Sequence, residues 1–107
     1  MAKLGGEYLL KDILALMANG NPGALSFLME VLNTMDEDRF LRYIEFFNDN
    51  DIYGSKLYMF WNDSCDRDLA KVDETIELLK TNNISKEKIH ENLNRGRALP
   101  FKEFLGL

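Results

Sequence analysis

The amino-acid sequence predicts an all-α protein, a compact bundle of five or six helices with one long central helix. Three observations carry this. Apolar residues recur at the three-and-four spacing of a helix face along most of the chain. Glycine and proline fall between those stretches, where helices stop and start. No stretch shows the sustained apolar–polar alternation of a strand. The 107 residues have the length of a single domain, 1–107, whose last part, 98–107, is an apolar tail.

The first helix follows Gly5-Gly6. Leu9, Ile13, Leu16 and Met17 form its stripe, widened by Leu10 and Leu14, and it ends at Asn19-Gly20, since glycine suits the left-handed residue past a helix end. Asn21 caps a second helix with Pro22 at its first position, where an N–H would have no partner anyway. Its inward stripe is read as Leu25, Leu28, Met29 and Leu32, with Met35 near the end. Asp36 caps a third, with Glu37 and Asp38 in the first turn, where the helix dipole favours negative charge. Phe40, Tyr43, Ile44 and Phe47 face inward there, and Arg39 and Arg42 outward. Asn48-Asp49-Asn50-Asp51 ends it with residues that bond their own backbone in turns.

From Gly54 a longer ladder begins. Leu57, Trp61, Cys65, Leu69, Val72, Ile76 and Leu79 follow at spacings of 4, 4, 4, 3, 4 and 3, which one face of a single helix over 54–81 would carry. A break near 62–66 is the competing reading, because Asn, Asp and Ser are poor helix-interior residues. Ser85 caps a last short helix over 86–95, with Ile89 and Leu93 inward, and Gly96 closes it.

Net charge is −5 and the pI about 4.8. Phosphate neutralisation dominates nucleic-acid affinity, so this acidic balance argues against direct nucleic-acid binding. The single cysteine, Cys65, allows no intrachain disulfide, as suits a reducing compartment. Met1 to Glu7 lacks the apolar run of a secretory leader, and no apolar stretch approaches the roughly 20 residues of a membrane span. A cytoplasmic protein without membrane contact is expected.

No catalytic residue, metal ligand or cofactor is assigned. His90, the only histidine, sits among charges in Lys88-Ile89-His90-Glu91 and reads as a surface residue. Cys65 lies on the apolar face near Asp63, Asp66 and Asp68, which disfavour a thiolate, so it reads as a small hydrophobe. Residues 49–54 (DNDIYG) open like a calcium loop, but Tyr53 and Phe60 stand at its fifth and twelfth positions. Residues 19–23 (NGNPG) lack the lysine of a phosphate loop. Asp63, Asp66, Asp68, Asp73, Glu74 and Glu77 read as a solvated acidic face, which could also imitate nucleic acid toward a basic protein.

Surplus aromatic groups point to binding. Trp61 is expected in the core. Tyr58 and Phe60 cannot both face the same way as Trp61, so part of the cluster with Tyr53 is expected at the surface or against another chain. Phe101, Phe104, Leu105 and Leu107 need cover from their own domain or from a second chain, hence an expected homo-oligomer.

Two stretches, residues 17–25 (MANGNPGAL) and 52–69 (IYGSKLYMFWNDSCDRDL), resemble a group of short helical proteins encoded in phages and prophages. The shared features are the turn Asn19-Gly20-Asn21-Pro22-Gly23-Ala24 and the segment Cys65-Asp66-Arg67-Asp68-Leu69, about a quarter of the chain. The resemblance implies a phage setting, where such small proteins bind and disable host defence machinery. The expectation is a non-enzymatic inhibitor of a host protein acting through an exposed aromatic and acidic surface. The candidate binding residues are Tyr53, Tyr58, Phe60, Asp63, Asp66, Arg95, Arg97, Phe101 and Phe104. One alternative is a protein that sequesters a nucleotide signal, with Arg95, Arg97, Lys86 and Lys88 meeting phosphates. Another is a virion or assembly component.

Overall fold

The computed structural model describes residues 7–107, and the side chains of residues 10–107. The Gly5-Gly6 start lies outside the described residues, and Leu9 of the first stripe outside the described side chains. Seven α-helices follow in order: α1 Glu7–Ala18, α2 Pro22–Asn33, α3 Glu37–Asp49, α4 Gly54–Met59, α5 Leu69–Thr81, α6 Lys86–Leu93 and α7 Phe101–Leu105. A π-helical turn, Phe60–Ser64, continues α4 directly. There is no strand among the described residues.

Most boundaries have the expected chemistry. Asn19 and Gly20 turn left-handed after α1, at φ 45° and 79°. The Asn21 side chain accepts from the Ala24 N–H at 2.9 Å, and Pro22 opens α2. Asp36 caps α3 through the Arg39 N–H, and Ser85 caps α6 through the Lys88 N–H.

The long central helix does not form. After the π turn, Asp66 and Arg67 are both left-handed at φ 55°, and Asp68 caps a new helix by accepting from the Ala70 N–H at 2.9 Å. Six of the seven ladder residues are nonetheless buried, and Leu69 packs partly buried beside them. The periodicity therefore reported burial correctly; it carried no information on whether the helix axis runs straight. The helix count rises above five or six because the ladder is split and the tail folds into α7.

Three facings also differ. On α2 the core face is Ala24, Phe27, Leu28 and Val31, while Leu25 and Met29 are 42% and 44% exposed. Phe27 stacks against Trp61 at 5.2 Å and Tyr43 at 6.1 Å, so the larger ring takes the interior. Leu16 of α1 is 59% exposed. Arg39 is half-buried, because its guanidinium donates to Asp73 on α5 at 2.7 Å. Tyr43 donates to the same carboxylate, so Asp73 fastens α3 to α5.

The tail packs at home. Phe101 is buried against Phe60, at 5.7 Å between rings. Ahead of it, fully buried Asn92 holds Leu99 by two bonds, donating to its C=O at 2.8 Å and accepting from its N–H at 2.9 Å. The Ser64 hydroxyl donates to the same carbonyl, and Asp63 accepts from the Ala98 N–H at 3.2 Å. The irregular segment 94–100 is thus fixed to both α6 and the π turn.

Candidate binding groove

Those anchors create one wall of a groove of about 600 Å³. The π turn supplies Asp63 and Ser64, the left-handed turn Asp66, and α5 the side chains Lys71, Glu74, Thr75 and Leu78. The opposite wall is residues 97–103. Apolar atoms of Leu78, Ala98 and Phe101 meet charges of both signs. Asp66 and Lys71 pair loosely at 3.6 Å, and Asp63 is held by the Asn62 amide and the Ala98 N–H. Arg97, Lys102, Glu74 and Glu103 make no ion pair among the described residues.

Four of the nine sequence-derived candidates line this groove: Asp63, Asp66, Arg97 and Phe101. The other five do not gather there. Phe60 belongs to the core and is fully buried against Phe47 at 5.1 Å, which removes it from any surface. Leu57, Phe60, Trp61, Ser64 and Cys65 fall at i, i+3, i+4, i+7 and i+8 and are all buried. The inward arc there holds two adjacent aromatics, so of Tyr58 and Phe60 it is Phe60 that shares the interior with Trp61 and Tyr58 that stays half-buried. Phe101 touches the groove only as part of its buried floor. Tyr53 is half-buried and its hydroxyl donates to the Asn48 side chain at 2.7 Å.

Tyr58 forms a separate surface cluster. Its ring and that of Trp61 lie 5.8 and 5.6 Å from the Arg67 guanidinium. Arg67 also donates to the Tyr58 hydroxyl at 2.8 Å and to the Asn62 carbonyl oxygen at 2.6 Å. The two stretches that carry the phage resemblance meet here. A Cβ on Gly23 would run into the Tyr58 ring, and one on Gly54 would touch Asn19 at 3.4 Å. Gly23 serves close helix approach, whereas Gly54 serves the left-handed backbone at φ 58°.

The basic residues proposed for phosphates are dispersed. Lys86 pairs with Asp51 at 3.0 Å and Lys88 with Glu91 at 3.2 Å. Lys88 and Arg95 both lie over Phe104, at 5.2 and 5.9 Å, leaving Arg97 alone on the groove.

The nucleophiles are restrained. Burial pushes the Cys65 thiol up to about 12, against a weaker opposing bond to Thr75 at 3.6 Å. Ser64 spends its hydroxyl proton on Leu99. His90 is half-buried, a correction to its surface reading, because it spans three helices. Nε2 lies 2.7 Å from the Asn50 carbonyl, which can only accept, so Nε2 carries the proton. Nδ1 then accepts from the Lys56 ammonium at 3.1 Å. Among the described residues no three of His, Cys, Asp and Glu gather to hold a metal ion, and no helix is long and apolar enough to cross a membrane. Comparison with known protein families, curated proteins and solved structures gives no match.

Proposed function

We propose that this chain is a phage-encoded, non-enzymatic binding protein that disables a host protein by occupying one of its surfaces, and that the groove between α5 and residues 97–103 is the contact face. The observation that carries this reading is the set of unpaired charges, Arg97, Lys102 and Glu103 on one wall and Glu74 on the other, around an apolar floor. Such charges gain little from solvent-exposed pairing within the chain, but complementary charges on a partner steer its approach and fix its orientation. The wall bearing Arg97 is held in place by Asn92, Ser64 and Asp63, so less ordering entropy is lost on binding. The engaged hydroxyl of Ser64 and the raised thiol of Cys65 support binding over catalysis.

The test is expression of the protein beside a panel of bacterial defence systems, scoring phage plaques. Relief of one system by the wild type, with loss of relief in Arg97→Glu/Lys102→Glu, is expected. Relief of none would remove the counter-defence role.

A further inference from the structure

Helix α2 is apolar on both of its faces. The inner face is core; the outer one presents Pro22, Leu25 and Met29, with Leu32 partly buried at its edge and Leu25 and Met29 more than two-fifths exposed. Four of the six large apolar side chains exposed on the described residues, Leu16, Leu25, Met29 and Met35, lie on α1, α2 or the turn after α2. A contiguous exposed apolar stripe of this kind marks a contact face. Among the described residues α1, α3 and α4 pack on α2 and leave the outer stripe uncovered.

We propose that a second copy of the chain covers it, in a two-fold dimer built on α2 against α2. Three features select a second copy. A two-fold contact lays residues near its axis against themselves, so a charge there repels its own image. The ridge of α2 has none: Leu25, Met29 and Leu32 are uncharged, and exposed Glu30, the only charged residue of the helix, lies to one side of it beside Ser26. For two chains of net charge −5 such an uncharged ridge is the face of least mutual repulsion. Leu25, Met29 and Leu32 repeat at 4 and 3, the knob spacing of paired helices. Beside that ridge lies its counterpart, a recess of about 560 Å³ whose apolar lining is Leu14, Ala15, Ala18, Pro22 and Leu25 and whose one charge is Lys11, so one face carries both a projection and a hollow. The tail and the core aromatics, which first suggested an oligomer, are satisfied within the chain; the outer stripe of α2 is what remains.

Sedimentation equilibrium across a concentration series tests this. The wild type is expected at twice the chain mass of 12.4 kDa. Leu25→Glu/Met29→Glu should sediment as a monomer with unchanged helical circular dichroism, and Leu25→Ser/Met29→Ser repeats the measurement with no added charge. Leu16→Glu, on the opposite side of α1 from Leu14, should stay dimeric. A wild-type monomer up to about 100 µM, a range that spans the affinities of most specific dimers, would overturn the proposal. So would a dimer that survives both α2 double variants.

Discussion

At Gly23 two terms oppose each other. Alanine is favoured over glycine inside a helix by about 1 kcal/mol. Against this, its Cβ would press on the Tyr58 ring, and overpacking of that kind costs about 1–3 kcal/mol. Gly23→Ala is expected to destabilise by about 1 kcal/mol in urea titration. In a Tyr58→Ala background the same change should become neutral or stabilising, and equal costs in both backgrounds would refute the contact. Cys65 offers a second test. With its thiol near 12, the native protein should react with iodoacetamide at pH 8 far more slowly than the unfolded chain. Cys65 was legible as a small hydrophobe from its place in the apolar ladder. The inward turn of Arg39 was not, because its partner Asp73 is distant in sequence and nothing local announces the pair.

Element-scale reading succeeded where a single residue decides and failed where neighbours do. Asn21, Asp36 and Ser85 cap as their side-chain chemistry requires. The split of the ladder into α4, the π turn and α5 follows from Asp68 capping a new helix and from two successive left-handed residues. Asn, Asp and Ser in that stretch hinted at the break, but periodicity alone favoured continuity. The facing of α2 was ambiguous for a physical reason: both of its faces are apolar, so spacing could not choose between them. The loop anchored by Asn92 was invisible, since an asparagine in a short helix looks like surface. Asn92→Ala should cost about 1–3 kcal/mol by leaving the part-buried N–H and C=O of Leu99 without their side-chain partner, and should speed hydrogen exchange across 94–100 while sparing α2 and α3. Unchanged exchange there would show that the anchor is dispensable. Asp66→Gly relieves one left-handed position at a well-exposed site and should gain up to about 1 kcal/mol, read from the urea midpoint.

Over the whole molecule, α3 and α5 are joined by a buried tyrosine and the core holds one thiol, and both titrate upward. Burial first, then the bond to Asp73, raises Tyr43 above its usual 10.0; burial raises Cys65 from 9.0. The neutral forms are therefore the native ones. Their contribution is complete below pH 9.0 and is lost as pH climbs, first through Cys65 toward about 12 and then through Tyr43. Stability should be level in these two groups up to pH 9 and fall beyond it, by up to about 1.4 kcal/mol per pH unit for each. Cys65→Val should flatten the onset between pH 9 and 10, and a curve unchanged by that substitution would contradict the assignment. At this scale the sequence made the fold class and the acidic balance plain. The groove was half legible: Asp63 and Asp66 were singled out with an aromatic and acidic surface whose Phe60 the core absorbs, and Arg97 as a phosphate contact. Lys102 and Glu74 complete the set only once the tail folds back beside α5.

The groove as a protein-binding face is the central claim, and native mass spectrometry of the protein purified gently from its host cell tests it most directly. The expected result is a stoichiometric complex with one host protein, absent for Arg97→Glu/Lys102→Glu and retained for Leu25→Glu/Met29→Glu. A wild-type chain that carries no protein, one that retains only a small molecule of a few hundred daltons, or a complex indifferent to the groove charges would contradict it.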